Sequence, residues 1–136
     1  MMKAVVLSAC AIGLVASSIA AQAAACSPGD ENCPVLLKMK PGTITIAATG
    51  SVSGDRPNFY FQFAARAGQK MTIHTEGGVL KTGPGIPITG PNGFRDALNE
   101  DTPFLLPATG DYVIVLHANT MSDGPFGRFV MTLTIK

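Results

Sequence analysis

The amino-acid sequence predicts an all-β protein, a small antiparallel Greek-key β-sandwich of about seven to eight strands that follows a cleaved signal peptide. Three observations predict this fold. Apolar and polar residues alternate over several short segments, which is typical of strands with one buried face. Gly- and Pro-rich turns separate these segments at intervals of roughly 8–12 residues and leave no window for a long helix. Finally, a Gly-Asp-Tyr sequence follows a Pro-containing turn at residues 107–112, as in a tyrosine corner.

Residues 1–25 have the layout of a secretory signal peptide. Met1-Met2-Lys3 provides a positive start, an apolar run covers residues 4–20, and an Ala-rich segment allows cleavage after Ala23 or Ala25. The alternative is a membrane anchor that is retained, but the run is short for a spanning helix, which needs roughly 20 residues. We therefore expect a periplasmic or secreted protein whose mature chain of about 110 residues has the size of one domain.

Composition limits the classes of partner. Without Lys3, the chain has nine basic and nine acidic residues, so its formal net charge is zero. This balance gives no reason to expect nucleic acid or an anionic membrane as a partner. The sequence has no second long apolar run, so no membrane span is predicted in the mature chain.

Two cysteines remain in the mature chain, Cys26 and Cys33, and they enclose the turn-rich segment SPGDEN. Cysteines at this spacing in an exported protein predict a small disulfide loop. The alternative, that Cys26 is the lipid-modified first residue of a lipoprotein, stays open. We place this loop in an N-terminal segment, residues 26–42, ahead of a sandwich domain at residues 43–136.

Five of the predicted strands have a clear pattern, and they follow in order at residues 43–52, 58–63, 70–75, 112–117 and 128–135. The segment YVIVLH at 112–117 is apolar on both faces, which predicts a central strand covered on each side. The segment FRDALNED, residues 94–101, predicts at most one helical turn. In the Pro-rich stretch before it, Ile86 and Ile88 either contact a partner or face the core from an irregular edge strand.

Tyr112 and Gly110 are predicted to be structural. In a tyrosine corner, the phenol hydroxyl forms a hydrogen bond with the backbone a few residues upstream and fixes the crossover between the sheets. The ring buries apolar area at the same time, and a glycine two residues earlier permits a tight approach.

Four segments together resemble a known family. FYFQFAARAGQKMTIHTE, GFRD, PFLLPATGDYVIVLHA and GRFVMTLTI are similar to the pattern of bacterial pre-peptidase C-terminal domains and of the periplasmic inhibitors of g-type lysozyme. The likeness spans about residues 50–136 of the chain. It implies an exported sandwich, and in the inhibitors loops with polar and basic residues reach the lysozyme cleft.

The sequence has no motif that predicts an enzyme, a cofactor or a metal. His74 and His117 would form a metal site with a carboxylate if their strands paired, but we interpret them as two half-exposed sheet residues. Asp96, Glu100 and Asp101 lack the regular spacing of a calcium loop, although calcium binding there stays open. No nucleophile has the local setting of a catalytic triad.

Binding through loops is therefore the predicted function, with a protein, plausibly a lysozyme, as the partner. The predicted partner-binding residues are Asp55, Arg56, Arg95, Asp123 and Arg128. The alternatives are a glycan- or envelope-binding module that uses Tyr60 or Phe126 as an aromatic platform, and an assembly accessory with an exposed apolar patch. The partner's identity and the oligomeric state stay open.

Overall fold

The computed structural model describes residues 26–40, 42–77, 85–118 and 126–136. The predicted signal peptide lies outside these ranges. Within them are nine strands and one 3₁₀ turn, at Pro91–Gly93. The strands are β1 Val35–Leu37, β2 Thr45–Val52, β3 Asn58–Ala65, β4 Lys70–Glu76, β5 Ile86–Thr89, β6 Arg95–Leu98, β7 Phe104–Leu105, β8 Gly110–His117 and β9 Gly127–Ile135. In the described ranges, no helical segment has the length and hydrophobicity needed to span a bilayer.

The strands form two sheets, and the prediction of a β-sandwich is confirmed. The five-stranded sheet has the order β1-β3-β8-β5-β6, and the four-stranded sheet has the order β2-β9-β4-β7. All pairings between these strands are antiparallel except β1 with β3, which is parallel. Only the β5–β6 connection joins neighbours within one sheet, so every other connection between the described strands crosses the sandwich. The strands that exceed the predicted number are short: β1 has three residues and β7 two.

The core lies between the sheets and follows the predicted alternation. Phe59, Phe61 and Phe63 of β3 point inward, as do the apolar residues at alternate positions of β9. Phe129 meets the rings of Phe59 and Phe61 edge to face, with centroids 5.4 and 6.1 Å away. Aromatic pairs of this geometry add about 0.5–1.5 kcal/mol beyond the area they bury. The aromatic face of β3 therefore forms the middle of the core.

Tyr112 is completely buried at the start of β8. Its hydroxyl donates a hydrogen bond to the carbonyl oxygen of Ala108 at 2.6 Å and accepts one from the amide of the same residue at 3.0 Å. Gly110 has a φ of +150°, and a side chain there would come within 2.6 Å of Pro91. The turn before β8 is thus held against the body of the sandwich by one phenol and one close backbone approach.

The prediction of a helical turn in residues 94–101 is wrong. Arg95–Leu98 is β6, which pairs with β5 in a hairpin. A single helical turn fixes several dihedral angles for one hydrogen bond, which is unfavourable, whereas pairing with β5 provides hydrogen bonds along the strand. Of the four residues, Leu98 is buried and the others are exposed.

The apolar outer face of β8 was also misread. The strand is central, between β3 and β5, but it is buried on one face while Val113 and Val115 are half-buried on the other. These valines lie opposite Gln62 and Tyr60 of β3, where β-branched side chains pack well on a pleated surface. Similarly, β5 is internal to its sheet instead of at the edge, and Ile86 and Ile88 belong to the core, as the second of the two interpretations held.

Candidate partner-binding end of the sandwich

The strand directions place the loops at two opposite ends of the sandwich. We call the first the disulfide end; it comprises residues 26–33, the turn 53–57 between β2 and β3, and residues 126–128 at the start of β9. We call the second the corner end; it comprises residues 106–112, Pro91–Gly93 and Arg95. Strands of eight residues separate the two ends by about 25 Å.

The structure brings together some of the predicted partner-binding residues and separates others. Asp55, Arg56 and Arg128 lie at the disulfide end, where β2 ends opposite the start of β9. Arg95 lies at the corner end, because β6 begins opposite Thr89 at the end of β5. Asp123 lies outside the described residues. A contact surface confined to one end of the sandwich therefore cannot contain both Arg95 and Arg128.

The loop at residues 26–33 is closed by the predicted disulfide between Cys26 and Cys33, whose Cα atoms are 5.6 Å apart. The carbonyl of Gly29 accepts a hydrogen bond from the amide of Tyr60 at 2.8 Å, which attaches the loop to β3. Gly29 has a φ of +97°, and a side chain there would come within 2.5 Å of the Phe59 ring. A glycine is therefore required where the loop crosses the edge of the core.

Arg56 connects the two neighbouring loops of the disulfide end. Its Nε lies 2.9 Å from a carboxylate oxygen of Asp30, and its Nη1 donates to the carbonyl of Pro28 at 3.0 Å. The Arg56 amide also donates to the side chain and the backbone oxygen of Ser53. A guanidinium has five N–H donors, so these contacts fix its position and use two of them. The Arg56 side chain keeps 30% of its surface exposed.

Arg128 and Phe126 present a second surface at this end. Arg128 is exposed on β9 opposite Ser51, and within the described ranges no carboxylate lies within 4 Å of its guanidinium. Phe126 is 44% exposed, and its ring lies about 4 Å from the position that a side chain on Gly54 would occupy. The disulfide end thus combines a fixed arginine, an exposed arginine, an exposed carboxylate at Asp55 and an exposed aromatic ring.

The two histidines lie in different sheets and do not meet. His74, on β4, is linked through Nδ1 to both carboxylate oxygens of Asp101 at 3.0 and 3.2 Å, and its Nε2 is 3.6 Å from Glu76. The hydrogen bond and charge of Asp101 raise the pKa of His74 above its ordinary 6.5. His117, on β8, bonds instead to the side chain of Asn58.

The acidic residues of the 96–101 segment are directed to separate partners. Asp96 accepts a hydrogen bond from the amide of Ala97, and Glu100 accepts bonds from the amide and hydroxyl of Thr75. The Glu100 bonds to Thr75 and the Asp101 contact with His74 attach the segment to β4, whereas the Asp96 bond is local. Among the described residues, no group of three or more His, Cys, Asp or Glu side chains is placed to hold a metal ion.

Sequence reasoning missed the part of Asp30 in this site. Asp30 lies 26 positions before Arg56 in the chain, and only the attachment of the disulfide loop to β3 brings the two together. A Pro-Gly-Asp turn predicts a surface loop, but the local sequence does not identify the residue with which the Asp30 carboxylate pairs.

No protein-family profile and no curated protein sequence matches this chain. Solved structures do match it. The periplasmic inhibitor of g-type lysozyme PliG from Salmonella Typhimurium is 18% identical, with a TM-score of 0.58 over 75% of this chain and 96% of the inhibitor. A mutant of the Escherichia coli inhibitor, PliG-Ec, gives 18% identity and a TM-score of 0.59 over the same shares.

A pre-peptidase C-terminal domain of a Bacillus anthracis collagenase is also similar, at 14% identity and a TM-score of 0.43 over 82% of this chain and 99% of that domain. The two PliG comparisons show that this chain shares the fold of the inhibitors. Identity this low says nothing further about its activity, since one fold hosts many functions.

Proposed function

We propose that this protein is an exported, periplasmic inhibitor of lysozyme that acts without chemistry of its own, through the loops of the disulfide end. The shared fold makes the class plausible, but function has to be argued from a site. The observation that carries the proposal is that Arg128 and the ring of Phe126, two positions apart in the chain, are both exposed at the end of the sandwich where Arg56 is already fixed in place.

Arg128 is the charged group of this site that suits a glycosidase cleft; the disulfide end as a whole is not cationic, because Asp30, Glu31 and Asp55 accompany Arg56 and Arg128. Enzymes that cleave glycosidic bonds carry, as a rule, a pair of carboxyl groups on either side of the scissile bond. An exposed cation and an exposed apolar ring at one end of the sandwich can pair with such carboxylates and fill a sugar subsite. Arginine and aromatic residues are also the types that most often dominate interface energies. Inhibition would follow from exclusion of the glycan.

The position of Arg56 lowers the cost of binding. Ordering a side chain at an interface costs about 0.5–1.5 kcal/mol, and the contacts of Arg56 with Asp30 and Pro28 already restrict it in the free protein. The disulfide restricts the loop that supplies these contacts. The disulfide end is therefore pre-organised, which favours insertion into a rigid cleft.

The test is lysis of peptidoglycan by a g-type lysozyme with rising amounts of the purified mature protein, and with a c-type lysozyme in parallel. We expect saturable inhibition of the g-type enzyme. Absence of inhibition at about 100 μM would exclude binding stronger than roughly −5 kcal/mol and would contradict the proposal. Equal inhibition of both enzymes would indicate that the protein covers the substrate instead.

The contact is located by two matched variants. Arg128→Ala should raise the inhibitory concentration tenfold or more. Loss of an arginine at the centre of an interface usually costs at least about 1.4 kcal/mol of binding free energy, which corresponds to a factor of ten. Arg95→Ala removes the same exposed group from the corner end and should change it less than twofold. The reverse result would move the binding surface to the corner end.

Glycan binding is the second candidate, and the exposed ring of Phe126 is the observation that favours it. Sugars stack on exposed aromatic faces, and in this case the protein would sediment with peptidoglycan in the absence of any lysozyme. Phe126→Ala would abolish that sedimentation, whereas Arg128→Ala would leave most of it.

Export and lipidation are tested by the intact mass of the protein recovered from the periplasm. Cleavage after Ala25 with a disulfide predicts the mass of residues 26–136 less two hydrogens. A diacylglycerol increment on Cys26 would show a lipoprotein, and an uncleaved mass would show a retained anchor.

A further inference from the structure

A groove of about 850 Å³ opens at the corner end, on the side of the sandwich where β1 and β2 form the sheet edges. Residues 38–40 and 42–44, between β1 and β2, line one side of it, and the ends of β3 and β9 and the start of β8 complete the walls. This volume is within the range of small-molecule sites. The innermost lining residues, Phe63 and Leu133, lie about 16–20 Å along their strands from the disulfide end, so the groove does not overlap the proposed lysozyme contact.

The floor of the groove is apolar and belongs to the core. Phe63, Leu133 and Ile135 line it with less than a tenth of their surface exposed, and Leu37 joins them from the end of β1. Ile44 is 49% exposed at the side of the groove. Burial of a large aliphatic side chain away from water is favourable, so a ligand that covered Ile44 would gain part of that free energy.

The rim of the groove is cationic. Lys38, Lys40, Arg66 and Lys136 line it, all of them exposed, against a single acidic residue, Asp111. Within the described ranges, none of these four cations lies within 4 Å of a carboxylate. The whole mature chain has no formal net charge, so this concentration of positive charge is local to the groove and is not neutralised by ion pairs with described residues.

We propose that this groove binds an amphiphile that has one hydrocarbon chain and an anionic head group, with the chain on the apolar floor and the head at the cationic rim. An acidic peptide would match the rim equally well. Over the floor, however, it would place backbone amides against apolar side chains, and unpaired buried amides are costly. A hydrocarbon chain carries no such groups. The head group is a carboxylate or a phosphate, since both accept hydrogen bonds from Lys and Arg.

The proposal is tested by calorimetric titration of the full mature protein with dodecanoate and with dodecyl phosphate, below their micellar concentrations. We expect saturable one-to-one binding of at least one of them, and the tighter one identifies the head group. Dodecyltrimethylammonium, which has the same chain and the opposite charge, should bind at least tenfold more weakly. Equal binding of the cationic amphiphile would overturn the anionic assignment, and equal binding of acetate or inorganic phosphate would overturn the need for a chain.

Variants assign the binding to the groove. Lys40→Glu combined with Lys136→Glu should weaken binding tenfold or more, whereas Arg95→Glu, at the same end but three strands away from β3, should change it less than twofold. Ile44→Gln should weaken it, and Leu105→Gln, which alters an even more exposed aliphatic residue outside the groove, should not. If the two controls weaken binding as much as the groove variants do, or if vesicles of anionic phospholipid bind while the single-chain amphiphiles do not, the proposal is wrong.

Discussion

The side chain of Tyr112 packs through its ring and forms hydrogen bonds through its hydroxyl, and a phenylalanine would keep only the packing. The ring stacks on Phe63 with centroids 5.6 Å apart and lies edge to face with Phe94. The hydroxyl satisfies both the amide and the carbonyl of Ala108. Ala108 itself is half-buried, and these are the hydrogen bonds that a phenylalanine at position 112 could not make.

Tyr112→Phe should keep the stacking and lower the free energy of unfolding by about 1–2 kcal/mol, since it removes two hydrogen bonds to the half-buried backbone of Ala108. Urea denaturation measures this loss. Tyr60→Phe removes the same atom from a half-buried position on β3 and should cost less than about 0.5 kcal/mol. Equal losses in the two variants would mean that the corner hydrogen bonds contribute nothing to stability.

His74 makes a pH-dependent contribution through Asp101. The pKa of His74 is raised in the folded protein by the hydrogen bond and charge of Asp101. A raised folded-state pKa means that the folded protein holds the proton more tightly than the unfolded chain. The stabilisation is therefore complete below the unfolded value of about 6.5 and is lost as the pH rises through the folded value.

His74→Gln should consequently lower the Tm more at pH 5.5 than at pH 8.5, as measured by thermal unfolding at both pH values. His117→Gln is the control, because no carboxylate contacts that ring among the described residues. A Tm difference for His74→Gln that is the same at both pH values would contradict the linkage with Asp101.

Among the elements, the disulfide loop depends on tertiary contacts as well as on its covalent bond. The separation of seven residues closes a small loop, and the backbone bond to β3 and the Arg56 contacts hold the loop on the sandwich. Removing the covalent bond therefore mainly increases the conformational entropy of the unfolded chain, because the folded loop keeps its other attachments.

Replacing both Cys26 and Cys33 by serine should lower the free energy of unfolding by about 2–3 kcal/mol, the value that chain entropy gives for a loop of this length. Denaturation under non-reducing conditions measures the change. The matched comparison is the native sequence under reducing conditions, which should show the same loss. An unchanged denaturation midpoint would mean that the disulfide does not restrict the unfolded chain.

The strands that follow strict alternation were predictable from sequence, whereas the short ones were not. In β3 and β9 the buried residues fall at every second position, so the period of two identifies both the strand and its inward face. In Arg95–Leu98 a single residue is buried, so no period exists to be read. Val35–Leu37 is too short for any pattern, and its pairing with β3 is a long-range contact.

At the scale of the whole molecule, the candidate sites were predictable only in part. Asp55, Arg56 and Arg128 stood out as polar residues in or beside turns, but their separation from Arg95 follows from the strand order, which local sequence does not encode. The groove is assembled from five separate segments of the chain. Its cations are ordinary surface residues in each segment, so the cluster of positive charge becomes visible only in the folded structure, where the segments lie side by side.

The two proposed sites lie far enough apart to act independently, because effects at sites more than about 10 Å apart are usually additive. Arg128→Ala should weaken lysozyme inhibition and leave the binding of dodecanoate unchanged. Lys40→Glu with Lys136→Glu should do the opposite. Inhibition assays and calorimetry on the native protein and on these two variants measure both effects. If dodecanoate altered lysozyme inhibition by the native protein, the two sites would be coupled, which their separation does not explain.

The position of β9 has a consequence for how the chain is made. β9 is the strand to which both β2 and β4 pair, although it follows both of them by more than fifty residues in the sequence. A chain that emerges from a ribosome or a secretion channel with its N-terminus first has no partner for β2 until residues 127–135 have followed. The four-stranded sheet therefore assembles after synthesis of β9. Until then β2 and β4 lack their pairing strand, and their unpaired edges are prone to aggregate with other chains.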